Sequence, residues 1–237
     1  MTTNKEDTDK RWYGRRFGKK LGPTRQRRVD NLLPRLRVDP DACRNDPTLS
    51  SLFTTLPEDV WLEIGFGGGE HLAQQAANYT NIGFIGCEPF INGVASLLTD
   101  IDERGLENVR VFDDDARPLL DALPDASIGR IFILFADPWP KSRHLRRRFI
   151  SEKNLQQFSR VLKDEAELRF ASDHMGYVSW TLEHLLRHPD FDWPARSPKD
   201  WRDPPSDWVQ TRYETKAIKR GDHPAYLRFI RNSRNHE

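Results

Sequence analysis

Four acidic residues in this 237-residue chain stand where short apolar runs end, and their spacing carries the first hint of chemistry. Glu63 opens the stretch Glu63-Ile64-Gly65-Phe66-Gly67-Gly68-Gly69, a strand-like run that breaks into glycine. Such a turn lets a ligand approach the backbone closely and aims the amides of a following helix at it, so Gly65 and Gly67 are candidate cofactor-binding positions. Glu88 follows a second apolar run, where a carboxylate can accept both hydroxyls of a ribose. Asp115 closes the triplet Asp113-Asp114-Asp115 after a third run, within reach of an adenine amino group. The ligand implied is nucleotide-like. The dinucleotide fingerprint requires glycine at its sixth position, and Glu70 stands there instead, which argues against a dehydrogenase.

The fourth run ends in Asp137-Pro138-Trp139-Pro140-Lys141 and passes at once into Arg143, His144, Leu145, Arg146, Arg147 and Arg148. Two prolines stiffen the exit and remove amide donors, holding Asp137 near any group that the cofactor would transfer. The basic run is suited to phosphates. The net charge of +1 hides a second basic region, because residues 1–37 hold twelve Lys/Arg against four Asp/Glu and the remainder is mildly acidic. A basic segment on an acidic body points to a polyanionic partner.

The elements that must position these residues alternate. Strands are expected at 60–64, 82–87, 109–112, 131–135 and 168–171, with helices at 69–78, 91–104, 148–163 and 175–187 and a closing strand at 226–230. This order predicts an α/β fold: a mostly parallel twisted sheet with helices on both faces and an antiparallel closing strand. Residues 1–30 lack periodicity and read as a flexible basic arm, followed by one domain over 31–237. Pro34 and Pro40 keep any helix near Leu32, Leu33, Leu36 and Val38 short, and 189–224 reads as an irregular connection. Cys43 and Cys87 form no Cys-x-x-Cys pair and share no ligand spacing with the seven histidines, so free thiols and no metal are expected. No run approaches the roughly 20 apolar residues of a membrane span, which predicts a cytoplasmic protein.

The Glu63–Gly69 loop resembles the cofactor loop of Rossmann-like methyltransferases, whose methyl donor is S-adenosylmethionine. With Asp137-Pro138-Trp139-Pro140-Lys141 and the basic run added, residues 11–231 resemble the bacterial tRNA (guanine-N7-)-methyltransferase family. The resemblance implies that Glu63, Glu88, Asp115 and Asp137 line the donor pocket, with Asp137 at the active site. It assigns Lys141, Asp173 and the stretch Thr211-Arg212-Tyr213-Glu214 to substrate, and Arg143 to Arg148 to RNA contact. It further implies that the substrate is tRNA, methylated at N7 of a variable-loop guanosine. Ala136, Ser142 and Leu145 depart from common members without removing a functional side chain. Two other readings stay open on the residues alone: a methyltransferase acting on an exocyclic amine of a base, and a non-catalytic RNA-binding subunit that kept the fold. The oligomeric state is left open.

Overall fold

The computed structural model describes residues 14–234. Along the chain, α1 (Pro23–Asn31), α2 (Leu33–Leu36) and α3 (Pro40–Arg44) precede an alternating core. That core comprises β1 (Asp59–Ile64), α4 (Glu70–Asn78), β2 (Ile82–Cys87), α5 (Ile91–Arg104), β3 (Val109–Phe112), α6 (Ala116–Ala122), β4 (Ile128–Leu134), α7 (Glu152–Val161), β5 (Leu162–Ser172) and α8 (Met175–Arg187). Then follow β6 (Phe191–Asp192), α9 (Lys199–Arg202), α10 (Arg212–Lys219) and β7 (Ala225–Arg231).

The strands form one seven-stranded sheet in the order β3-β2-β1-β4-β5-β7-β6, with β7 antiparallel to both its neighbours. The fold class expected from the sequence is the one observed. Period-2 alternation explains how one sheet serves two cores. Val60, Leu62 and Ile64 of β1 join Ile131 and Ile133 of β4 on one face, packed against Leu119, Leu155 and Phe158. Trp61, Phe84, Phe132 and Leu134 point to the other face, toward Leu72, Val94 and Leu97 of α4 and α5. Both faces are dry, so these strands read as unbroken apolar runs.

The differences from expectation lie where polar interactions set the structure. Residues 23–30, expected within a flexible arm, are helical: Pro23 starts α1, and Arg28 pairs with Asp102 and Glu103 of α5 at 2.8 and 3.1 Å. No residue of α1 is buried, so apolar periodicity had nothing to register. Residues 1–13 of that arm lie outside the described residues. Helix α6 lies outside the expected elements: it is only seven residues long, and its cap Asp115 follows β3 after just Asp113 and Asp114. Helix α7 starts only at Glu152, capped by the Ser151 hydroxyl, and β5 begins at Leu162, directly after that helix, rather than at 168. The segment 189–224 is more ordered than an irregular connection: it holds β6, α9 and α10, the last fixed by a reciprocal Thr211–Glu214 capping box.

Among the described residues no helix is long and apolar enough to cross a membrane, and no three His, Cys, Asp or Glu side chains converge as a metal-ligand set. Cys43 and Cys87 are buried free thiols; burial, reinforced by Asp39 and Asp46, pushes Cys43 up to about 11.

Candidate active site

At the carboxyl ends of the parallel strands, where β1 lies between β2 and β4, the chain encloses a cavity of about 750 Å³. This is the switch point at which open α/β sheets take ligands. Gly65 and Gly67 form its floor with φ of +75° and +57°, a left-handed backbone that side chains rarely adopt. A Cβ on Gly65 would meet nothing within 4 Å, so the space above the loop is open; one on Gly93 would run into the Gly67 carbonyl at 2.1 Å, so the loop rests on α5.

Glu88 is buried in the cavity wall and staples this loop in place. One carboxylate oxygen accepts from the Gly67 amide at 2.8 Å and the other from the Phe90 amide at 3.0 Å. Each oxygen keeps a further lone pair, enough for two ligand hydroxyls. Burial pushes the Glu88 carboxyl above its ordinary range, against the pull of the two amides. Asp137 leaves β4 on a strained turn: Phe135 and Trp139 on either side have φ of +53° and +42°. Non-glycine residues held there cost about 1–3 kcal/mol each and persist where the surroundings over-determine them, commonly at functional sites. The Asp137 side chain is open to the cavity, whose walls still withdraw enough water to push its carboxyl upward.

The other acids sit differently from expectation. Glu63 is buried beneath the glycine loop, bonded to Nδ1 of His71 at 2.7 Å, and is not part of the cavity wall. Asp115 accepts from the Arg117 amide at 3.0 Å as the cap of α6, while its neighbour Asp114 faces the cavity. Of the stretch expected to meet substrate, Arg212 and Tyr213 line the cavity, with Tyr213 3.1 Å from where a Gly67 Cβ would be and Arg212 paired to Glu70 at 3.0 Å. Thr211 and Glu214 are buried in the capping box, and the Glu214 carboxylate also accepts from Trp208 Nε1 at 2.8 Å and Tyr226 Oη at 2.5 Å. Asp173 pairs with Arg220 at 2.8 Å outside the cavity, and Lys141 precedes the short 3-10 helix Ser142–Arg147.

Residues 57–226 match the family model described as "Putative methyltransferase". A protein named tRNA (guanine-N(7)-)-methyltransferase from Rhodospirillum rubrum is 51% identical over 97% of this chain and 91% of its own. Proteins of the same name from Chelativorans sp. and Brucella melitensis are 48% and 50% identical, covering 95% and 93% of this chain and 97% and 94% of theirs. This chain belongs to the tRNA (guanine-N(7)-)-methyltransferase family. Among solved structures it is similar to an rRNA methylase from Streptococcus thermophilus at a TM-score of 0.51 and 12% identity, covering 74% of this chain and 88% of that one. It is equally similar, at 0.51 and 17%, to the [4+2]-cyclase SpnF, covering 82% and 81%, so the shared fold by itself does not choose the reaction.

The basic run of this methyltransferase divides in two. Arg143, His144, Leu145 and Arg146 lie on the 3-10 helix, and Arg147 reaches the cavity wall with its guanidinium 4.9 Å from the Trp139 ring. Desolvation, followed by the charges of Arg147, Arg143, Lys141 and Arg146, holds the His144 ring below its ordinary value. Arg148 is not available to RNA. It is buried, donates to the carbonyls of Pro138 at 2.8 Å and Gly176 at 3.0 Å, and lies against Tyr177 and Trp180. It braces the Asp137 turn from behind. Sequence reasoning missed the cavity residues Arg15, Arg25, Asn92 and Phe149, which belong to no motif and converge only through the fold.

Proposed function

We propose that this chain transfers the methyl group of S-adenosylmethionine to N7 of a guanine in tRNA, at the variable-loop guanosine, leaving 7-methylguanosine. The observation that carries this reading is that Asp137 and the basic 3-10 helix share one turn at the mouth of a cavity floored by the glycine loop and Glu88. When bound, the donor supplies an electrophilic methyl on a sulfonium. The residues around it fit: an open glycine cradle, and a carboxylate at Glu88 with lone pairs to spare.

Guanine N7 carries an in-plane lone pair, so attack needs no prior deprotonation and no strong general base. Alignment therefore supplies much of the acceleration, with effective molarities of roughly 10⁵ M or more in well-oriented systems. Asp137, held by its strained turn, orients the base and faces the positive charge that develops on the purine. Exposing a stacked guanine costs about a few kcal/mol. Arg143, Arg146 and Arg147 recover that by pairing with phosphates beside the cavity. Trp139 supports the turn together with Arg147. A tRNA-modifying role places the protein in the cytoplasm.

The test is to incubate the protein with unmodified tRNA and labelled donor and to identify the product nucleoside. 7-Methylguanosine is expected. A base methylated on an exocyclic amine, or no transfer by a protein that binds tRNA, would overturn this reading in favour of the corresponding alternative.

A further inference from the structure

The N-terminal segment 14–20, with its basic residues, has the charge of an RNA-gripping arm but does not extend away from the body. It is laid across one side of the cavity. The Ile91 amide donates to the Arg16 carbonyl at 3.0 Å, the Gly18 amide to Asn92 Oδ1 at 2.8 Å, and Asn92 Nδ2 to the Lys19 carbonyl at 2.7 Å. The Arg16 guanidinium pairs with Asp114. These anchors span the exits of β2 and β3, the two strand ends beside Glu88. Gly14 and Arg15 line the cavity, as does Arg25 from α1.

We propose that residues 14–20 form a strap that completes the nucleoside side of the donor cavity, so that the segment serves donor binding rather than RNA grip alone. This rests on the donor-cavity reading above. The named anchors of the strap are polar, its residues are exposed, and Phe17 stays 76% exposed. A segment with little buried apolar surface opens locally at low cost. A nucleoside seated between Glu88 and Asp114 touches the strap only in the closed state, so binding shifts the strap closed. Gly18 permits the closed position. A Cβ there would come within 2.7 Å of the Phe90 ring and 2.8 Å of Asn92 Oδ1.

Two full-length variants undock the strap without removing charge from the basic run: Gly18→Val, which crowds Phe90 and Asn92, and Arg16→Glu, which sets a carboxylate against Asp114. Calorimetry without tRNA, using S-adenosylhomocysteine and 5′-methylthioadenosine, measures both ends of the cavity separately, because the two ligands share the nucleoside and differ in the amino-acid end. Both variants should weaken both ligands by a similar factor, about 5- to 30-fold if closing contributes one to two kcal/mol. In the parent protein, S-adenosylhomocysteine should slow tryptic cleavage after Arg15, Arg16, Lys19 and Lys20. Unchanged affinities with unprotected cleavage would overturn the proposal, as would weakening of S-adenosylhomocysteine alone, which would place the strap at the amino-acid end. Failure of the parent itself to bind either ligand would sink the donor-cavity reading and the strap with it.

Discussion

Replacing Glu88 by Gln separates donor binding from folding at a single side chain. The carboxylate accepts two main-chain amides at 2.8 and 3.0 Å and is 9% exposed, and burial holds its pKa above the ordinary carboxylate range. Glutamine keeps one acceptor oxygen and turns an NH₂ toward the other amide, losing one charge-assisted bond worth roughly 1.5–3 kcal/mol. Against that loss, the neutral side chain escapes the desolvation that raises the Glu88 pKa, so the net change in stability at neutral pH should be within about 1 kcal/mol. Donor binding has no such offset. A ligand hydroxyl that donated to the carboxylate now faces an NH₂, and the loss of a hydrogen bond to a charged group costs roughly 1.5–3 kcal/mol, or about 10- to 150-fold in Kd. Because the folded pKa is raised, the contribution of Glu88 to stability is fully present below the unfolded carboxylate pKa and is lost as pH rises through the folded value. The variant should lack this decline. Calorimetry with S-adenosylhomocysteine and denaturant unfolding at several pH values measure both quantities. Unchanged donor affinity would refute the ribose-acceptor assignment, and a stability loss above about 3 kcal/mol would show that the amide staple outweighs desolvation.

Asp137→Ala should abolish methyl transfer while leaving the melting temperature nearly unchanged, since the side chain opens to the cavity rather than into the core; normal turnover by the folded variant removes Asp137 from the mechanism. Arg148→Ala should destabilise the fold by roughly 2–4 kcal/mol, because two carbonyls lose a buried cationic donor, and a denaturation midpoint equal to the parent's would contradict its bracing role. By contrast, Arg143→Ala with Arg146→Ala should preserve the midpoint and flatten the salt dependence of tRNA binding by a log-log slope of about 0.7 to 0.9 for each phosphate that is no longer neutralised. Parallel salt plots for parent and double variant would exclude phosphate pairing at both positions. Burial opposes ionisation of Asp207, but the hydrogen bonds and charge of Arg169, with Arg130, win and lower its pKa, so its stabilisation is present above the ordinary carboxylate range and fades as pH falls through the folded value. Asp207→Asn should therefore be less stable than the parent at neutral pH and converge with it in acid; a constant gap at every pH would refute the ion-pair assignment.

The chain's sequence by itself determined the strand-helix alternation, the glycine turn and the acids that end β2 and β4, because these signals are local. Strands buried on both faces must be apolar throughout, and a ligand-cradling turn must admit positive φ at Gly65 and Gly67. The family resemblance was legible for the same reason, since its motifs are contiguous stretches. Which acids actually face the cavity depended on tertiary structure. Asp113, Asp114 and Asp115 are alike in one dimension, and only the start of α6 decides that Asp115 caps a helix while Asp114 faces inward. Likewise Arg146, Arg147 and Arg148 form one uniform basic run, yet the turn after β4 directs Arg148 into a buried brace, sets Arg147 in the cavity wall and leaves Arg146 exposed. The position of α1 and the strap was least legible, because ion pairs and main-chain hydrogen bonds to residues some 75 positions away hold them. Partners chosen by charge across such distances leave no periodic trace in the chain, and only folding brings them together.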